Sequence, residues 1–84
     1  MPDDSDEFTP AHLIDAYWKL IYRAARKTGL SVGEAQDVVK ETVLSACKNS
    51  GKFDRARGSL KAWILVMARW RIAEQFRRRK GPES

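Results

Sequence analysis

Eighty-four residues make at most one domain, and a chain this short buries only about 60% of the surface its unfolded form exposes, so its core must be economical. Hydrophobic residues make up 43% of it, too many for a disordered segment, and 16 Lys+Arg against 11 Asp+Glu leave a formal charge of +5 that favours a polyanionic partner. The single cysteine, Cys47, excludes an internal disulfide and fits a reducing, cytoplasmic setting, and no apolar run approaches the ~18 residues of a membrane span.

Residues 1–8 read as a solvated acidic tail carrying Asp3, Asp4, Asp6 and Glu7, the opposite of a signal peptide. Thr9-Pro10 is a helix start, since a hydroxyl caps free amides and proline suits the first turn. Leu13, Ile14, Tyr17, Trp18, Ile21, Ala24 and Ala25 then return to one face, and Gly29 closes the helix. Ser31-Val32-Gly33-Glu34 fits a capping box. The helix it opens turns Ala35, Val38, Val39, Thr42, Val43 and Ala46 inward and is expected to stop in a left-handed turn at Asn49-Ser50-Gly51.

Residues 52–59, "KFDRARGS", have loop composition around one buried candidate, Phe53, and Ser59 can cap a third helix running from Leu60 to about Arg79. No strand pattern appears. The expectation is an all-α, compact three-helix domain over residues 9–80, with a fourth short turn allowed, and residues 81–84 as the start of a linker.

The third helix has too many apolar residues for an edge helix. Leu60, Ile64, Met67 and Ala68 form a packing stripe, Trp63, Val66 and Trp70 a second, and Leu65, Ile72 and Phe76 a third. Either this is a central helix covered on both sides, or part of its aromatic surface is open to stack on unpaired bases, as aromatic faces beside arginines do. Arg77, Arg78, Arg79 and Lys80 suit a helix C-terminus on dipole grounds alone. Arg55, Arg57, Lys61, Arg69 and Arg71 add to them on the same loop-and-helix unit, the concentration of cations that phosphate binding requires. His12 lacks neighbours at metal-ligand spacing, Cys47 reads as a small apolar filler, and no nucleophile, phosphate-loop or carboxylate-pair motif occurs. Neither enzyme activity, a cofactor nor a metal is expected.

The segment "AQDVVKETVLSACKNSGKFDRARGSLKAWILVMARWRIAEQFRRRK" resembles region two of bacterial RNA polymerase sigma factors, above all the small extracytoplasmic-function group. An acidic-apolar helix, a Phe-Asp loop, a Gly-Ser helix start with tryptophan, an Ala-Arg step and a basic end follow in the family's order from about Leu20 to Lys80. The resemblance implies a helical domain that docks on the clamp coiled coil of the polymerase largest subunit and recognises and melts the minus-ten promoter element. It assigns Asp37, Lys40 and Glu41 to polymerase docking, and Leu44 lies near them as a leucine among charges that suits an interface. It assigns the loop from Lys52 to Ser59, which carries Arg55 and Arg57, and Trp63, Trp70, Arg71 and Glu74 of the third helix, to partly single-stranded promoter DNA; the concentration of cations adds Lys61, Arg77 and Arg78 to the same surface. An anti-sigma factor is a further implied partner, and no membrane is involved.

Three residues depart from the family's pattern: Lys40 replaces the usual glutamine, Trp70 the common asparagine, and Glu74 the usual aspartate. No second helix-turn-helix domain follows "KGPES", as expected of an excised domain or a stand-alone protein of partial function. Two alternatives remain beside promoter melting: a sigma-like module that docks on polymerase or an anti-sigma factor without reading DNA, and a basic three-helix binder of duplex DNA.

Overall fold

The computed structural model describes residues 8–80; residues 1–7 and 81–84, which hold most of the expected tail and the linker, lie outside the described residues. Three α-helices follow one another, α1 (Pro10–Lys27), α2 (Val32–Lys48) and α3 (Leu60–Lys80). Two single 3-10 turns, Ser50–Lys52 and Arg55–Arg57, join the second to the third. No strand occurs among the described residues, and the fold is the expected all-α one.

Each helix starts where a side chain takes up an orphan amide. The His12 N–H donates to Thr9 Oγ1 at 3.3 Å, with Pro10 in the first turn. Ser31 and Glu34 close their capping box, the Glu34 N–H donating to Ser31 Oγ at 3.2 Å and the Ser31 N–H to Glu34 Oε1 at 2.8 Å. Ser59 Oγ accepts from the Ala62 N–H at 3.1 Å. Such caps contribute about 1 kcal/mol each.

The helix ends differ. After α1 the chain turns at Gly29 with φ 102°, a conformation that costs a residue bearing a Cβ. After α2 there is no left-handed stop: Asn49 has φ −107°, and its N–H and its side-chain Nδ2 both donate to the Ser45 carbonyl, at 2.9 and 2.8 Å. The carbonyl that a left-handed cap would satisfy is already engaged, and the chain runs directly into a 3-10 turn.

α2 is the middle helix. Ala35, Val38, Thr42, Val43 and Ala46 are buried, and α2 packs extensively on both neighbours while α1 and α3 touch each other less. α1 contributes Leu13, Ile21 and Ala25 to the core, and α3 contributes Leu60, Ile64, Met67, Ala68 and Ile72. Because α2 and not α3 holds the centre, the apolar excess of α3 is not all absorbed. Val66 is 44% and Trp70 68% exposed. The same reason overturns the inward placement of Ile14 and Trp18, which stay largely exposed on the flank of α1. Phe8, assigned by sequence to the solvated tail, instead packs its ring against Phe53 and Trp63, with centroids 5.9 and 6.0 Å away.

Ile64 is fully buried, so Ile64→Ala is expected to cost about 2–5 kcal/mol in chemical denaturation. Thr42 is also fully buried, and its Oγ1 has no hydrogen-bond partner. Thr42→Val therefore removes an unpaid hydroxyl desolvation and should raise the denaturation midpoint, by about 1 kcal/mol in stability.

Candidate nucleic-acid interface

Three arginines of α3 fix it to α2. Arg71 Nη1 donates to Glu74 Oε1 at 2.8 Å, and its Nη2 donates to Ser45 Oγ. Arg78 donates through both terminal nitrogens to Glu41 Oε2 at 3.3 Å. Arg79 Nε donates to Glu34 Oε2 at 2.8 Å and its Nη2 to Oε1 at 2.5 Å, a two-point clamp on the acid that also caps α2. The order 71, 78, 79 against 45, 41, 34 is that of an antiparallel pair.

This pairing changes the meaning of several expected site residues. Arg71 and Glu74 are half-buried and engage each other, and Arg78 of the DNA group bonds Glu41 of the docking group. Glu41 is therefore not a free outward acid; its other oxygen, Oε1, is buried without a partner. Asp37 and Lys40 are exposed on α2 as expected, with Leu44 54% exposed one turn further on. Lys52, Arg57, Lys61 and Arg77 are exposed. The Arg55 guanidinium lies over the Phe53 ring at 5.6 Å, and the Ser59 hydroxyl is engaged in capping α3.

Two concavities flank the exposed stripe of α3. The first, about 280 Å³, lies between the loop and the start of α3, walled by Phe53, Trp63 and Val66 with Lys52, Arg57 and Ser59 at its edge. That volume sits just below the ~300–1,000 Å³ of ordinary small-ligand clefts and suits a single planar ring. Its rim includes Gly58 at φ 157° and ψ −177°, a region open essentially to glycine alone. Nothing lies within 4 Å of a Cβ built there, so the backbone rather than space demands glycine. Trp63, left open between core and surface by the sequence, is half-buried, one face packed on Phe53 at 5.3 Å.

The second concavity, about 230 Å³, is walled by Trp70 and Met67 and edged by Ser45, Asn49, Arg71 and Glu74. Ser45 of α2 and Asn49, the residue that caps its C-terminus, escaped the sequence reading as site residues because they lie 20 or more positions away; only the α2–α3 register brings them beside Trp70. Phe8 was missed because a lone aromatic after four acids carries no periodicity. Among the described residues no cluster of His, Cys, Asp and Glu has the makings of a metal site, and no helix is long and apolar enough to cross a membrane. Burial pushes the Cys47 thiol up from its ordinary value, which suits packing rather than thiolate chemistry.

Residues 13–81 match the family described as Sigma-70 region 2. The chain belongs to that family. It is 33% identical over 66 residues to the ECF RNA polymerase sigma factor SigK of Mycobacterium tuberculosis and to that of Mycobacterium bovis, a stretch covering 79% of this chain. The chain spans about a third of the length of these curated relatives, the matched share being 33% of each. No solved structure gives a significant match.

In this sigma region 2 domain the Glu34 carboxyl is held down from its ordinary value of 4.5 to about 2, first by the Arg79 guanidinium and then by the Ser31 N–H. A carboxyl depressed on folding contributes stability that is complete above about 4.5 and is lost as pH falls through about 2. Glu34→Gln should therefore be less stable than the parent at neutral pH. The gap between the two melting temperatures should narrow steadily as pH is lowered from 5 towards 2; a constant gap would remove the clamp from the account.

Proposed function

We propose that this domain acts in transcription initiation, binding core RNA polymerase through the outer face of α2 and holding unpaired bases of a minus-ten promoter element on the loop and the exposed stripe of α3. The observation that carries the reading is Trp70, 68% exposed between two arginines and beside a polar-edged concavity, on one stripe with Val66 and Trp63. From Trp63 to Trp70 the helix rises about 10 Å, the length of roughly three nucleotides at the 3.4 Å stacked spacing. A strand laid along this stripe meets an aromatic at each end, with Arg69 and Arg77 exposed on the same open side of the helix and Lys52 and Arg57 exposed at the concavity beside Trp63. The concavity against Trp63 has room for one base turned out of the stack. No bond is made or broken; the domain works by binding unpaired bases more favourably than the duplex holds them, against a cost of a few kcal/mol per base.

The outer face of α2 supports the docking half of the proposal. Asp37 and Lys40 are exposed, and Leu44 presents an apolar side chain among charges, a combination that suits the centre of an interface. The partner implied is the clamp coiled coil of the polymerase largest subunit, in the cytoplasm, with an anti-sigma factor as a competitor for the same protein.

A second reading, docking without DNA contact, is favoured by the internal pairing of Arg71, Arg78 and Arg79, which diverts three cations from phosphate. Salt dependence separates the two. About six phosphate contacts give a slope near −4 for single-strand binding; a flat response would favour the second reading.

Labelled promoter DNA with an open bubble is expected to bind the domain together with core polymerase more tightly than fully paired DNA of the same sequence. Trp70→Ala should weaken bubble binding by about 5- to 150-fold, the equivalent of one lost stack, without lowering the melting temperature. Leu44→Asp should weaken association with polymerase and leave bubble binding by the free domain unchanged. Equal affinity for bubble and duplex, or no association with polymerase at any salt concentration, would refute the proposal.

A further inference from the structure

Ser45 and Asn49 stand one helical turn apart at the end of α2, and Met67, Trp70, Arg71 and Glu74 recur at three- and four-residue steps along α3. The helical repeat puts each set on one side of its helix, and the antiparallel pairing closes them around the second concavity. Its walls, Trp70 and Met67, are apolar and its edge is polar, so a planar ring stacked on the indole turns its own edge towards four polar side chains. Several of their groups are already engaged. Arg71 directs one terminal nitrogen at Glu74 Oε1 and the other at Ser45 Oγ. Asn49 Nδ2 donates to the Ser45 carbonyl at 2.8 Å. What is left is mostly acceptor. Glu74 Oε2 and Asn49 Oδ1 take no hydrogen bond from the described residues, while Ser45, accepting from Arg71, keeps its hydroxyl hydrogen to donate.

We propose that this concavity selects a base carrying an amino group beside an unprotonated ring nitrogen, cytosine or adenine, and disfavours thymine and uracil. The amino group donates to Glu74 Oε2 and Asn49 Oδ1, and the ring nitrogen accepts from the Ser45 hydroxyl. A carboxylate is a fitting acceptor for the cytosine amino group. Thymine and uracil reverse the pattern, setting a carbonyl oxygen against the Glu74 carboxylate and a ring N–H against the Ser45 hydrogen. Guanine places its own carbonyl and ring N–H in the same two positions and is disfavoured with them. Mismatched polar groups in a site built for hydrogen bonding discriminate more strongly than a missing apolar contact does. Glu74 and Asn49 are thus specificity-determining, and Arg71 is a positioning residue that holds Glu74 and Ser45. This selectivity rests on the proposed DNA-binding role, of which it names the base chemistry at one site.

Labelled single strands of about twelve deoxycytidines or deoxyuridines, titrated with the full chain at slightly alkaline pH, test it. The two bases share a ring and differ only in the amino group and the ring nitrogen beside it. The parent is expected to bind the cytosine strand at least about 5-fold more tightly, the low end of one base-edge contact. Glu74→Gln keeps the shape and exchanges an acceptor for a donor, and should bring that ratio to about 2 or below. The ratio is the readout because the variant also loses a negative charge, which strengthens phosphate contacts to both strands alike. The concavity beside Trp63 meets the same bases in both proteins, so a changed ratio belongs to the concavity beside Trp70. If Glu74 served only to hold Arg71, both affinities would fall together and the ratio would stay. Equal binding of the two strands by the parent would overturn the selectivity and leave the DNA-binding role standing. A cytosine preference that persists in Glu74→Gln would overturn its assignment to this site. Binding of neither strand would refute the DNA-binding role and the selectivity with it.

Discussion

The position of α2 decides what every other surface can do. A helix packed on both sides needs residues small enough to let two neighbours approach, and α2 supplies Ala35, Val38, Thr42, Val43 and Ala46 over its two inner faces. With α2 in the middle, α1 and α3 each use one stripe for packing and keep another free. The free stripe of α3 carries Val66 and Trp70, and the free flank of α1 carries Ile14 and Trp18. Burying either of these would need a fourth element. Exposed apolar surface on so small a domain therefore follows from its architecture.

The arginine row completes the arrangement. Three guanidinium groups along one side of α3 meet Ser45, Glu41 and Glu34 of α2 in antiparallel order, and set the register that apolar packing alone would leave loose. Surface ion pairs contribute little to stability singly, typically below about 1 kcal/mol. The Glu34 group is the one built more firmly, because a single carboxylate serves both the capping box of α2 and the two-point clamp from Arg79. One consequence is electrostatic. The basic end of α3 is partly neutralised on the side facing α2, where Arg78 and Arg79 are paired, while Arg69 and Arg77 remain exposed.

What could be read without coordinates follows the range of the interactions. Caps at Thr9, Ser31 and Ser59 are local to four residues, and all three form as the sequence indicates. The buried stripe of α3 is periodic and was legible for the same reason, as was the family, whose motifs lie in order along the chain. The partners of Arg71, Arg78 and Arg79 lie 26 to 45 positions away, and no local pattern announces them. Trp70 could not be placed because periodicity tells which stripe a residue occupies but not whether a third helix covers that stripe. Asn49 misled because its amide can serve either a left-handed turn or the carbonyl four residues back, and it serves the carbonyl.

Under the proposed DNA-binding role, a tryptophan at position 70, where the resembled pattern commonly has asparagine, has a physical consequence for how bases would be held. An amide side chain discriminates among bases through its donors and acceptors, whereas an indole stacks on the face that every base shares. Stacking of that kind stabilises an opened strand while saying little about its sequence. The polar edge of the adjacent concavity, Arg71, Glu74, Ser45 and Asn49, then becomes the source of any base preference, and Arg71 and Glu74 are already oriented by each other and by α2. A base entering there meets donors and acceptors fixed in place before binding, which lowers the entropic cost of recognition. Opening and reading would thus be divided between neighbouring groups on one helix, the indole supplying the affinity for unpaired bases and the arginine–glutamate pair supplying the choice among them.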